Sequence, residues 1–187
     1  MSFFREGLGL VAWLQADRPS LQFVRCDLAQ DLSASTLELM RFNPLKRANP
    51  LERFGRGGCA SRVNCVDWRA WTGLEDGLVT LGLPDGSLQL LDAAALRAAE
   101  QGEEREAVLA TLPVVEGGEV ACFEYSPTDA GQLAVGGQGL FVLDLAQGWE
   151  ALGATRPAAP SEPLTAVTWN RDKALPHILA AATHAGG

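Results

Sequence analysis

The chain has 187 residues, 47% of them apolar and 20% charged, which suits one packed domain or a piece of a larger one and excludes a disordered chain. Fifteen Lys and Arg against 23 Asp and Glu leave a formal charge of −8, so phosphate backbones and anionic lipid heads are disfavoured as direct partners.

The opening segment, MSFFREGLGLVAW, carries charges at positions 5 and 6 and has no long apolar stretch behind a basic head, so it does not read as a secretory signal. No apolar run approaches the roughly 20 residues of a membrane span. The expectation is a cytoplasmic or nuclear protein. The run LGLVAW, closing on Trp13, is the first of four similar strands; the others are VNCVDW at Trp68, VACFEY at Tyr125 and LTAVTW at Trp169. These aromatic positions are separated by 55, 57 and 44 residues. The last spacing matches the roughly 40 to 45 residues of one propeller blade, and the first two require insertions.

Each repeat continues with a second apolar run, at 21–26, 77–82, 132–137 and 177–182, and three continue with a third, at 35–42, 86–92 and 139–145. Between second and third strands lie LPDGS at 83–87 and GGQG at 136–139, whose glycines are expected to supply the positive φ of tight hairpin turns. A fourth strand is expected at Leu51–Phe54, at Val108–Leu112 and, weakly, around Trp149–Leu152. The fold class is therefore all-β, an incomplete β-propeller of about three and a half four-stranded antiparallel blades. The blades fall at about 8–54, 63–112 and 119–152, with an incomplete fourth at 164–182. A ring needs roughly four to eight blades, so the chain is expected to be part of a longer protein and, expressed alone, to aggregate or unfold with low cooperativity.

Three segments interrupt the strands. LDAAALRAAEQGEEREAV at 91–108 is rich in strong helix formers, with Asp92 available as a cap, and reads as an outer helical or flexible insertion. NPLKRAN at 43–49 and GATRPAAPSEP at 153–163 read as connecting loops.

Chemical motifs are sparse. Cys26, Cys59, Cys65 and Cys122 are 33, 6 and 57 residues apart, without a C-x-x-C pair, so zinc and thioredoxin-like readings lack their spacing. Cys65 and Cys122 lie in apolar strands and read as small buried hydrophobes. His177, opening a strand, and His184, in a terminal Gly/Ala stretch, have no acidic partner at ligand spacing. The segment GRGGCASR at 55–62 lacks the Gly-Lys-Ser/Thr of a phosphate loop and reads as a surface connection with Arg56 and Arg62 as its solvated rim. Asp85, Asp92 and Asp144 flank third strands; turn and strand-end hydrogen bonding explains them better than acid–base chemistry. Trp13, Trp68 and Trp169 recur at one repeat position and read as packing between blades, which leaves Trp71 and Trp149 as weak candidates for an exposed contact. No residue is assigned to catalysis, a cofactor or a metal, and none can be assigned to protein binding.

The order of LVAW, CDLAQDLSASTLEL at 26–39, VDW at 66–68, LPDGSLQLLD at 83–92, FEYSP at 123–127, LAVGGQGLFVLDL at 133–145, VTWN at 167–170 and HILAAA at 177–182 resembles the amino-terminal WD-repeat propeller of the Sec-thirty-one family. That family supplies the large subunit of the COPII outer coat. The first-blade strand SASTLEL and SEPLTAVTWN at 161–170 are the most specific pieces; the rest is general to WD repeats. The sequence departs from the pattern where Leu91–Asp92 and Leu143–Asp144 keep the Asp of the Trp-Asp dipeptide and lose its Trp. The resemblance implies a non-enzymatic scaffold without cofactors, peripheral to the endoplasmic reticulum at its exit sites and on vesicle coats. It also implies partners in the small outer-coat propeller protein and the inner-coat GTPase-activating subunit, with no nucleic acid and no direct membrane insertion. The family's later blades, partner site, helical solenoid and proline-rich segment are not among these residues. The alternative is a WD-repeat adaptor in another complex, such as a ubiquitin-ligase substrate receptor or a regulatory-complex subunit.

Overall fold

A computed structural model describes residues 10–13, 22–28, 34–103, 105–145, 148, 156–157 and 162–183. The chain divides into two compact units, Met1–Leu81 with Gln89–Leu109, and Gly82–Leu88 with Ala110–Gly187. Among the described residues it is all-β apart from one helix, and consecutive strands are neighbours in every sheet.

The first sheet runs in the order β1 (Leu10–Trp13), β2 (Gln22–Leu28), β3 (Ser35–Phe42) and β4 (Leu51–Cys59), antiparallel throughout. Its register follows from alternation. Val24, Cys26, Leu37 and Leu39 are at most 1% exposed, while Arg25 between the first two and Thr36 before Leu37 face water. The second sheet runs β5 (Cys65–Trp71), β6 (Leu74–Gly82), β7 (Ser87–Asp92) and β8 (Val108–Pro113). The β6 residues from Asp76 to Gly82 are buried without alternation, as a continuous apolar run in a strand implies. The third sheet runs β9 (Cys122–Tyr125), β10 (Gln132–Gly136), β11 (Leu140–Asp144) and β12 (Arg156–Pro157), and β13 (Leu164–Trp169) pairs with β14 (Leu179–Thr183).

The two Gly-containing hairpins differ. At 83–87, Gly86 has φ +83°, Leu83 N donates to Ser87 O at 3.0 Å, and Asp85 Oδ1 accepts from Ser87 N and Oγ at 2.9 and 2.6 Å. These two donors hold the Asp85 carboxyl below its ordinary range. At 136–139, Gly136 and Gly137 do not adopt positive φ, contrary to the reading above. Their role is close approach. A Cβ on Gly136 would lie 2.6 Å from Cys122 Sγ, and one on Gly137 would strike the Glu119 carbonyl.

Three further expectations are corrected. The segment 55–59 is strand, because β4 continues past Phe54 to Cys59 and pairs with β3 along its whole length. Its glycines admit a neighbour. The helix α1 (Ala93–Glu100) lies on β4, and a side chain at Gly57 would collide with Leu96 Cδ2. The segment read as an outer helical or flexible insertion is thus helical over Ala93–Glu100, and the helix is docked rather than flexible, burying Ala93, Ala95, Leu96 and Ala98. Asp92 caps it, Oδ1 accepting from Ala94 N at 2.9 Å, and Gly102 with φ +83° follows its end. Finally, β12 falls inside the segment expected to be a loop; Pro157 is tolerated because β12 is an edge strand. Trp149–Leu152 and His184 lie outside the described residues.

Candidate functional site

The residues singled out from the sequence fall at separate places and form no common site among the described residues. Asp85 and Asp92 serve a turn and a helix cap, and Asp144 is exposed at the end of β11. His177 does not open a strand: the turn at 176–177 delays β14 to Leu179, and the imidazole is exposed. Trp71, read as a candidate for an exposed contact, is half-buried at the end of β5. All four cysteines are free. Cys26 and Cys59 are the buried ones, at 1% and 6% exposure, whereas Cys65 and Cys122 are intermediate. Desolvation pushes the Cys26 and Cys122 thiols up to about 11, away from the thiolate form that nucleophiles and metal ligands need. Among the described residues no group of three or more His, Cys, Asp and Glu is placed to hold a metal ion.

The tryptophans are anchors. Trp68 is 1% exposed, its ring lies 6.1 Å from that of Phe54, and its Nε1 donates to Asp76 O at 2.9 Å. Trp169 is 6% exposed and donates from Nε1 to Glu124 O at 2.9 Å and from its backbone N to Glu124 Oε2 at 2.8 Å. A buried indole N–H needs such an acceptor.

The surface feature that sequence reading missed is the β3–β4 hairpin. Its ends are tied by Asn43, whose N donates to Pro50 O at 2.7 Å and whose Oδ1 accepts from Leu45 N at 3.1 Å. Opposite Leu39 and Met40 the register of β4 shifts by one residue. Phe54 sits at that shift, with its ring against Trp68 and 5.9 Å from the Arg41 guanidinium carbon. An open groove of about 690 Å³ results, walled by Arg41, Lys46, Arg47, Leu51, Glu52 and Arg53. Glu52 accepts from Arg41 Nε at 2.7 Å and from Lys46 Nζ at 2.5 Å; with Asn43 Nδ2 at 3.2 Å, these donors hold its carboxyl at about 2. Arg53 bridges Glu38 and Glu100, each at 3.0 Å, and these carboxylates raise its pKa further. Arg47 and Arg56 are exposed and have no ionic partner among the described residues. The segment 41–62 holds six of the 15 cations and one of the 23 acids, so it carries +5 and the remainder of the chain −13. Only Lys46 and Arg47 are adjacent, so these cations do not form a run, which is why the patch escapes a sequence scan for charge blocks.

With this geometry in hand, the fold has a class: sheets of antiparallel strands in meander order, matched by solved WD40 propellers, make the chain part of an all-β propeller. A chain in the COPII outer coat vertex on membranes matches with a TM-score of 0.65 at 17% identity, over 92% of this chain and 44% of that one. A chain of the Chaetomium thermophilum Polycomb Repressive Complex 2, in a humanized mutant bound to an inhibitor, matches with a TM-score of 0.68 at 17% identity, over 94% and 36%. The WD40 domain of Toxoplasma gondii coronin matches with a TM-score of 0.57 at 14% identity, over 92% and 40%. The chain thus spans less than half the length of these solved chains. No family profile matches the sequence, and no curated protein matches it. Among the described residues no helix is long and apolar enough to cross a membrane.

Proposed function

We propose that this chain is a propeller segment of a non-enzymatic scaffold in the outer coat of COPII-type vesicles, acting in transport from the endoplasmic reticulum to the Golgi. The observation that carries the reading is the agreement between the Sec-thirty-one-like order of strand motifs and the likeness to a chain at the outer coat vertex over 92% of the chain. The buried tryptophans and docked helix support it by making rigid sheets that present surfaces rather than a reaction centre. In this reading the partners are the small outer-coat propeller protein and the inner-coat GTPase-activating subunit, and the chain reaches exit sites on the endoplasmic reticulum through them. Direct attraction to anionic lipid is disfavoured by the −8 charge.

A reconstitution tests it. The protein carrying residues 1–187 should sediment with liposomes only when the inner-coat subunits and their activated GTPase are present, and deletion of these residues should impair cage assembly. Binding to bare anionic liposomes at physiological salt, or unimpaired cages, would overturn the reading. Weight then moves to an adaptor subunit of another multiprotein complex, the second reading, which the comparable likeness to a Polycomb complex chain favours.

A further inference from the structure

We infer that the β3–β4 hairpin is a docking site for an acidic, partly apolar peptide segment of a partner protein. The inference stands on charge and apolar exposure together and does not depend on the coat reading. Of the large apolar side chains exposed among the described residues, half belong to this one hairpin: Phe42 at 37%, Leu45 at 89% and Leu51 at 44%. Single exposed apolar side chains are ordinary, but three within ten residues, beside a groove, form a patch. Around them stand cations of two kinds. Arg41, Lys46 and Arg53 are already neutralised by Glu52, Glu38 and Glu100, whereas Arg47 and Arg56 have no carboxylate among the described residues. The groove of about 690 Å³ has Arg47 and Leu51 in its walls, so an occupant meets a positive charge and apolar surface at once.

The class of occupant follows from distance. At physiological ionic strength charges are screened over about 8 Å, so a short acidic peptide responds to the cations around the hairpin, where the six of segment 41–62 face Glu52, Glu38 and Glu100, and not to the more distant acids. A nucleic acid or a membrane extends over many such lengths and meets the repulsive remainder as well. The apolar part of the hairpin tip offers nothing to a phosphate. It offers Leu45 to a side chain, and burying both partners' apolar surface there supplies affinity while the arginines supply direction. The site is preorganised, because Asn43 closes the hairpin and the Glu52 pairs fix its walls.

Fluorescence anisotropy tests the assignment with a labelled peptide in which Asp and Glu alternate with Leu. The control peptide replaces the acids by Asn and Gln. Saturable binding of the acidic peptide is expected, weakened several-fold by raising salt from physiological to about 0.5 M. Arg47→Glu with Arg56→Gln should weaken it about tenfold or more, and Leu45→Ser several-fold, while Arg171→Glu, an exposed arginine on the loop after β13, leaves it unchanged. Arg47, Arg56 and Leu45 are exposed, so the variants should melt as the parent does; a variant that does not is replaced by Arg47→Gln or Leu45→Thr. Equal binding of the neutral peptide, or binding indifferent to both variants, would overturn the inference. So would tighter binding of phosphatidylserine vesicles or a single-stranded oligonucleotide. Concentration-dependent self-association abolished by Leu45→Ser would overturn it too, by making a second copy the occupant.

Discussion

Trp68 and Trp169 occupy the same position of the repeat, are both buried, and both donate Nε1 to a backbone carbonyl at 2.9 Å, yet they hold different things together. The acceptor of Trp68 is Asp76, in the next strand of its own sheet, and the ring is packed on Phe54 of the strand before it. The acceptor of Trp169 is Glu124, 45 residues earlier, in β9 of the third sheet, and the same residue's carboxylate takes the Trp169 backbone N–H. Both rings thus meet a neighbouring sheet, but one repeat position gives its indole N–H to its own hairpin in one case and across the seam between sheets in the other. The lesson is that repetition of a residue type fixes its burial and its need for an acceptor, while the surroundings decide which element the acceptor joins.

The largest effect should come from truncating the rings. Trp68→Ala removes a side chain 1% exposed and should cost about 3–5 kcal/mol, lowering the unfolding midpoint of the unit formed by Met1–Leu81 and Gln89–Leu109. Trp169→Ala should act more locally. Hydrogen exchange is expected to accelerate across β13 and β14 while β2 and β3 keep their protection. If both variants lose protection in the same amides, the two tryptophans do one job and the contrast fails.

The seam can also be pressed from the opposite side. Gly136 of β10 faces Cys122 Sγ, Val167 Cγ1 and Leu164 Cβ, at 2.6, 3.1 and 3.2 Å from where a Cβ would stand. The cluster of Ala134, Leu164, Val167 and Trp169 packs in this place. Gly136→Ala should therefore cost about 1–3 kcal/mol by overpacking. Adding Cys122→Ala removes the closest atom and should restore part of the loss, as thermal melts of the single and double variants would show. An equal loss in both would place the strain elsewhere.

How far the sequence was legible divides along the same line. Local chemistry was readable: the Asp-Gly hairpin at 85–86, the Asp92 cap and the aromatic-ended strands all depend on residues within a few positions of one another. Features that depend on remote partners were not. Gly55, Gly57 and Gly58 read as a loop because the reason for Gly57, Leu96 on a helix passing over β4, lies 39 residues on. Gly136 and Gly137 read as turn residues because a turn needs glycine more often than a close approach does, and the Cys122 and Glu119 atoms that they admit cannot be seen locally. Residues 43–49 read as a connecting loop, and Arg56 and Arg62 as a solvated rim, because most of the cations are spaced apart in the chain and gather only when β3 and β4 pair.

A pH titration separates the two regions by smaller effects. Burial raises the Cys26 thiol to about 11 from an ordinary 9, so the folded state favours the protonated form. The contribution is intact below pH 9 and is lost as pH rises through 11. At pH 10 it amounts to about 1 kcal/mol, felt in the first sheet. Comparing the stability of the parent and Cys26→Ala at pH 8 and pH 10 isolates it. A parent that loses no more than the variant between those values would mean that Cys26 is not held from water, and with it the buried face of the first sheet.

The smallest effect is the most diagnostic of the seam. Glu124→Gln keeps both the backbone carbonyl that accepts from Trp169 Nε1 and a side-chain oxygen able to accept from Trp169 N, and it removes only the charge. A charge-assisted bond is stronger than a neutral one, so a loss of about 0.5–1 kcal/mol is expected, with protection falling first at the Trp169 amide. Glu124→Ala takes the acceptor away as well and should cost more, leaving the Trp169 N–H without its carboxylate. Because Arg171 also lies 3.7 Å from Glu124, Arg171→Gln serves as the control: an exposed pair of that length contributes little, and its removal should leave the exchange of the Trp169 amide unchanged. A Glu124→Gln variant with parental exchange would show that the tryptophan ring alone closes the seam, and that the carboxylate at 2.8 Å is incidental to it.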